Sequence, residues 1–218
     1  MTAITTLLFD VGDVLIDIDW QRGFKRMIGY MKDDTGRDLS LEEISDRLHP
    51  SPYGSVFDDF GMSKTTREEF LKLCVERTGY TGNVKLLEEA LTYIFEPLSH
   101  RIALLNRLIE KGHQVALVSD TNEMHMTHIE EYIPSIFANI PVERRFYSYN
   151  LGLKKKLGKE IYESVLNSLG VKPENALMID DRIDNKKGAD AIGLNFLLIQ
   201  KDEDLEAALR NAPYYLSV

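Results

Sequence analysis

Three short apolar runs along the chain each end on polar residues: Thr6-Leu-Leu-Phe-Asp10, Val115-Ala-Leu-Val-Ser-Asp120 and Ala176-Leu-Met-Ile-Asp-Asp181. A fourth run, Leu194-Asn-Phe-Leu-Leu-Ile199, is of similar length. Short runs that lack polar alternation predict strands covered on both faces, as in a parallel sheet. Helical patterns with recognisable ends lie between them. Ile102, Leu105, Leu108 and Ile109 recur at helical spacing with Gly112 just beyond, and residues 161–169 stop at Gly170 in the same way. Strands and helices alternating through short links predict an α/β fold with a doubly wound parallel sheet. Such sheets bind ligands at the carboxyl ends of their strands, so the three polar ends are expected to share one site.

Residues 19–96 break this alternation and read as almost wholly helical. Trp20, Phe24, Met27, Ile28 and Met31 form one apolar stripe, and Val84, Leu87, Leu91 and Ile94 another. Ser40-Leu-Glu-Glu43 and Thr66-Arg-Glu-Glu69 have the spacing at which a hydroxyl and a glutamate satisfy the first free N–H groups of a helix, so two more helices start there. A crossover between parallel strands needs only about a dozen residues. The excess predicts a helical unit at 19–96 inserted into a core made of 1–18 and 97–218. Residues 50–61 are expected to form its loop, and Tyr53 in Ser51-Pro-Tyr-Gly54 is a candidate for closing over a ligand.

Composition narrows the function more than the fold. With 218 residues, 44% of them apolar and 28% charged, the chain can bury a core without disulfides or structural metal, which excludes disordered and fibrous classes. Cys74 is the single cysteine, and its place in Phe70-Leu-Lys-Leu-Cys-Val predicts a buried helix position. A net charge of −9, from 26 Lys+Arg against 35 Asp+Glu, argues against nucleic acid as a partner. It would also repel a small anion unless a metal or a lysine reverses the sign locally. No run approaches the roughly 18–20 apolar residues that span a bilayer. Met1-Thr-Ala-Ile-Thr-Thr has no basic leader pattern, so no membrane partner and a cytoplasmic location are expected. Oligomeric state leaves no mark in the sequence.

The chemistry lies in Asp10-Val-Gly-Asp-Val14, Ser119-Asp-Thr-Asn122, Lys154-Lys-Lys156 and Asp180-Asp-Arg-Ile-Asp-Asn185, in that order. Carboxylates gathered at strand ends repel one another unless a cation sits among them, and hard oxygen donors suit magnesium. An aspartate, a hydroxyl beside an amide, a lysine and an acidic pair, on a sheet interrupted by a helical insert, resemble the haloacid dehalogenase superfamily. Leu8-Phe-Asp-Val-Gly-Asp-Val-Leu15 looks like its first motif and Val118-Ser-Asp-Thr-Asn122 like its second. The lysine stretch looks like the third, and 178–185 with Gly188-Ala189 like the fourth; residues 19–96 stand where its helical cap stands. Asp-x-Gly-x-Val and Ser-x-Thr-Asn look closest to alpha-glucose-1-phosphatase-type phosphatases.

The resemblance implies a hydrolase that attacks a small phosphorylated metabolite with Asp10 and passes through an aspartyl-phosphate. It implies magnesium held by Asp10, the Gly12 carbonyl and Asp181, with Asp180 and Asn185 assisting. Ser119 and a lysine would hold the phosphoryl oxygens, with Asp13, Asp120, Thr121 and Asn122 around the substrate. A dehalogenase of the superfamily needs no metal, and the Asp180-Asp181 pair weighs against it. A catalytically weak or non-catalytic binder of phosphorylated metabolites remains the alternative.

Two departures bear on that reading. The family's phosphatases usually carry an aspartate two residues after the nucleophile to protonate the leaving oxygen, and here Gly12 stands there; general acid catalysis is typically worth about 10²–10⁴-fold. Asp13 or another acid takes its place, or the leaving group is a better one, as in a sugar 1-phosphate, or the protein mainly binds. The lysine motif has no proline and one extra residue before Ile161, so counting from either side selects Lys155 or Lys156, with Lys155 favoured. Elsewhere the ordinary structural expectation holds. His125 and His128 are expected at a surface or helix end, with His125 a candidate for substrate contact, and Asp17 and Asp19 at a helix cap or hinge. Trp20 and Phe24 are expected in core packing, Arg144-Arg145 as a solvated pair, and Asp184 as an exposed charge with Arg182 beside it or on phosphate.

Overall fold

The computed structural model describes residues 3–31, 40–48 and 55–212. Strand β1 (Thr6–Phe9) leads into a short β2 (Ile16–Ile18), from which the helical insert departs. The insert runs through α1 (Trp20–Met31), α2 (Leu41–Leu48), α3 (Val56–Phe60), α4 (Arg67–Thr78) and α5 (Val84–Thr92) and returns through β3 (Phe95–Pro97). Beyond it come α6 (Ser99–Glu110), β4 (Gln114–Ser119), α7 (Glu123–Tyr132), β5 (Arg145–Tyr147), α8 (Ser148–Leu151) and α9 (Glu160–Leu169). The described chain ends with β6 (Ala176–Asp180), α10 (Ile183–Asp190), β7 (Asn195–Leu198) and α11 (Leu205–Asn211).

Five strands form one parallel sheet in the order β5-β4-β1-β6-β7. The register explains the unbroken apolar runs. Leu7 and Phe9 enter a cluster with Leu117, Leu177 and Ile179 on one face, whereas Leu8, with Ala116 and Met178 level with it, enters a second cluster on the other. Every β1 residue is therefore buried, and polar residues appear only where the strands stop. Among the described residues, no helix is long and apolar enough to cross a membrane.

The insert has its own apolar cluster, including Phe24, Met27, Ile44, Phe70, Cys74 and Leu91. Burial pushes the Cys74 thiol up to about 12, as a structural cysteine requires. Thr66 and Glu69 close the expected capping box on α4, and Ser40 and Glu43 exchange the same pair of hydrogen bonds at α2 (2.9 and 3.1 Å). Asp19 accepts the Gln21 N–H at the start of α1 (3.0 Å). Two expectations are corrected. Residues 50–61 are not all loop, because Ser55 caps α3, whose Val56 and Phe60 bury one turn apart; Tyr53 lies outside the described residues. Arg145 is not a solvated residue, since its guanidinium donates to the Phe137 and Ile140 carbonyls (3.1 and 2.7 Å).

Strands β2 and β3 pair antiparallel, so both chain crossings into the insert run through one ribbon. Trp20, directly after that ribbon, packs against the insert's cluster and against one sheet face. Core and insert also meet farther along: the Ser63 hydroxyl donates to the Tyr149 carbonyl (2.7 Å), and the Ser148 hydroxyl lies 2.8 Å from the carbonyls of Gly61 and Thr121.

Candidate active site

A cavity of about 600 Å³ opens at the carboxyl ends of β1, β4 and β6, between the sheet and the insert. Asp10, the first residue past β1, is buried there, and its Oδ1 accepts the Val11 N–H at 2.7 Å. Lys155, 1% exposed, places its Nζ 2.7 Å from Asp10 and 2.6 Å from Asp180. Carboxylate oxygens of Asp10, Asp180 and Asp181 lie within 4.8 Å of one another.

The acids differ in what holds them. Asp180 is saturated: Arg182 N–H and the Asn185 amide donate to Oδ1 (2.8 and 2.9 Å), and Lys155 and the Asn185 amide to Oδ2 (2.6 and 3.0 Å). Asn185 is in turn fixed by the Tyr162 hydroxyl on its carbonyl (3.0 Å). Asp180 thus orients the lysine, while Asp10 and the half-buried Asp181 face the cavity. Burial, with Asp180's charge added, pushes Asp10 up to about 7 against the pull of Lys155. Burial and the same neighbour push Asp181 up to about 6. Such carboxylates carry negative charge at a cost, and a hard divalent cation between them would remove it. The donor set therefore fits magnesium.

Of the three lysines, the structure brings Lys155 to the carboxylates. Lys154 and Lys156 instead pair with Asp58 of α3, the latter at 3.4 Å. Burial works against the Asp58 charge, yet these lysines hold its carboxyl below the usual range. The lysine turn is seated by two contacts: Lys155 N–H donates to Asp120 (3.1 Å), and α10 crosses close to Gly158. A Cβ on Gly188 would come within 2.4 Å of the Gly158 carbonyl, so only glycine admits that approach.

Ser119 lies buried on the cavity wall, with Thr121 beside it. Asn122 caps α7 by accepting the His125 N–H (2.9 Å), and its amide Nδ2 lies 3.1 Å from His125 Nδ1. That amide donates, so the ring proton of neutral His125 sits on Nε2. His125 is not at a surface; it is 6% exposed, and burial pushes it down to about 3 against the Leu91 carbonyl. Its Nε2 has no hydrogen bond of normal geometry among the described residues. Around it stand Trp20, Phe57 and Phe95 at ring separations of 5.8, 5.9 and 5.1 Å, and all four line the cavity. His128 is half-buried beside Phe95 and Tyr132. Asp184 and Arg182 are exposed, Arg182 at the cavity rim.

Gly12 faces Ile18. A Cβ there would lie 2.7 Å from Ile18 Cδ1, the far end of that side chain, which would have to turn aside for an acid at this position. Asp13, with φ of 50°, turns one carboxylate oxygen to the Ile18 N–H (3.1 Å), and burial raises its pKa. Sequence reasoning did not single out Ile18, Phe57, Phe95 or Asp58. Val56-Phe-Asp-Asp-Phe60 carried a usable signal, an i,i+4 apolar pair with an aromatic between its members.

Solved structures with the same fold include the HAD family enzyme bt-2542 of Bacteroides thetaiotaomicron, in complex with magnesium and inorganic phosphate. It is 23% identical over 94% of this chain and 98% of that one, at a TM-score of 0.77. A predicted HAD-like family hydrolase from Porphyromonas gingivalis is 19% identical over 96% and 98%, at 0.73. An L-2-haloacid dehalogenase is 17% identical over 91% and 84%, at 0.64. A sequence model of haloacid dehalogenase-like hydrolases matches residues 4–193, and the chain belongs to that family.

Proposed function

We propose that this hydrolase is a magnesium-dependent phosphatase of small phosphorylated metabolites, with sugar 1-phosphates as its preferred class and residues 19–96 as the cap over its site. The observation that carries the reading is the set of three carboxylates within 4.8 Å, with Lys155 buried between two of them. The acidic pair weighs against a dehalogenase, whose reaction needs no metal. Asp10, Asp181 and the Gly12 carbonyl would hold the metal, with Asp180 and Asn185 behind them. Bound there, magnesium supplies the positive charge that lets one anion approach another.

An Asp10 oxygen attacks phosphorus, the bond from phosphorus to the ester oxygen breaks, and the leaving oxygen departs with that electron pair. Water then attacks the aspartyl-phosphate, releasing phosphate and restoring the Asp10 carboxylate. Lys155 steadies Asp10 for attack, and Ser119 lies where it can donate to a phosphoryl oxygen. The site offers no acid at position 12, where glycine has no side chain and the Ile18 methyl packs close. This favours a leaving oxygen that departs without full protonation, as a hemiacetal oxygen does more readily than a simple alkoxide. The wall of Trp20, Phe57 and His125 suits the apolar face of a ring.

The missing acid at Gly12 favours a second reading, a weak or non-catalytic binder of phosphorylated metabolites. Phosphate release from sugar 1-phosphates, sugar 6-phosphates and an aryl phosphate, with and without magnesium, separates the two. The phosphatase reading expects metal-dependent release with the 1-phosphates ahead of the 6-phosphates. Equal turnover of both would sink the substrate preference, and no release from any of the three would favour the binder.

A further inference from the structure

Arg101 is the largest fully buried side chain among the described residues, and its position does not derive from the site chemistry above. It stands in the first turn of α6, on the buried face it shares with Leu104, Leu105 and Leu108. No carboxylate pairs with it within 4.0 Å among the described residues; its guanidinium is met by backbone carbonyls. Nη1 donates to Asp13 and Val14 (both 3.2 Å) and Nη2 to Gln200, Lys201 and Glu203 (2.6, 3.1 and 2.8 Å). Burial lowers its pKa while nearby Glu203 and Asp202 support the charge.

These carbonyls belong to two loops that matter for the carboxylates. Asp13 and Val14 follow directly on Asp10 and Gly12, and Asp13 holds the left-handed φ of 50° that a non-glycine residue adopts at a cost. The other loop carries Gln200, whose side-chain amide donates to the Asp181 carbonyl at 3.1 Å. A planar fork with donors on two nitrogens can bridge such loops, whereas an ammonium offers a single point.

We propose that Arg101 is a positioning residue that sets the distance between the Asp10–Gly12 turn and Asp181, and so the affinity of the site for a divalent cation. This rests on the reading of the carboxylates as a magnesium site. The fork holds the turn after Asp10 from one side and reaches Asp181 through Gln200 on the other, without touching substrate or metal.

The test is Mn²⁺ binding to the whole protein, followed by electron paramagnetic resonance well below the melting temperature. Arg101→Lys should weaken binding about tenfold or more, and Gln200→Ala, at an exposed side chain that spares the core, about threefold. Leu108→Ala, in the same helix but outside the fork, serves as a destabilised control and should bind Mn²⁺ as the wild type does. Wild-type affinity in both Arg101→Lys and Gln200→Ala would overturn the inference and leave the metal reading standing, as would equal weakening in Leu108→Ala. If Arg101→Lys fails to fold, Gln200→Ala alone decides. A wild type that binds no Mn²⁺ would overturn the metal reading and this inference with it.

Discussion

The floor of the cavity is built on three carboxylates and a lysine in fixed places, whereas the wall that Trp20, Phe57, Phe95 and His125 form above it is aromatic and neutral. Floor residues sit at strand ends, and their oxygens are held by backbone N–H groups, an amide and Lys155. The wall comes from α1, α3, β3 and α7 and is held by ring contacts such as Trp20 on Phe57 at 4.8 Å. Hydrogen-bonded charges have one geometry and lose much when it changes; packed rings tolerate adjustment. On the proposed phosphatase reading, the floor is the fixed part that would serve a phosphoryl group, and the wall is the part that would select what is attached to it.

Asp10→Asn should have the largest effect, lowering phosphate release by at least about 10³-fold because the nucleophile is gone; a smaller drop in initial rate would contradict its role. Lys155→Met leaves two buried carboxylates facing each other. Breaking a buried ion pair costs about 3–5 kcal/mol, so a loss of that size is expected in urea unfolding, partly recovered with magnesium.

The wall should respond to pH as a neutral surface does. Folded His125, at about 3, lies below its ordinary 6.5, so below pH 6.5 the unfolded chain takes up a proton that the folded chain refuses. Its contribution is intact above pH 6.5 and declines as pH falls toward 3, by up to about 1.4 kcal/mol per pH unit. Between pH 7 and 5, His125→Gln should lose about 2 kcal/mol less stability than the wild type in urea titrations; identical losses would contradict the neutral wall. Trp20→Ala should lower kcat/KM about tenfold for ring-bearing esters and leave a short-chain alkyl phosphate nearly unaffected. An equal fall for both would show that the wall supports the floor instead of selecting. The smallest effect is expected from Gly12→Asp, which should improve sugar 6-phosphate turnover less alone than with Ile18→Ala, which removes the methyl the new side chain displaces; steady-state rates of both variants and the pair would show equal gains if Ile18 plays no part.

The same division marks what the sequence discloses. Strands buried on both faces appear as apolar runs, and their polar ends name Asp10, Ser119, Asp180 and Asp181 directly. The lysine register does not follow from counting, because the turn at 155–157 depends on Gly158 meeting α10. The wall is hidden because Trp20 sits on the stripe that packs the insert's core and still reaches the cavity. The β2–β3 ribbon is three residues a side, too short for alternation to stand out, although Ile16-Asp-Ile18 shows it. Arg101 had a signal of another kind, a charge on a helix face otherwise marked by Leu104, Leu105 and Leu108.

If Asp10 is the nucleophile it becomes phosphorylated during turnover, which acid quenching with a sugar 1-phosphate, followed by mass spectrometry of the peptide carrying Asp10, would detect. A magnesium-dependent phosphoryl adduct on Asp10, absent from Asp10→Asn, is the result expected. Phosphate release at full rate with no adduct on that peptide, or with Asp10→Asn as active as the wild type, would rule out Asp10 as the nucleophile.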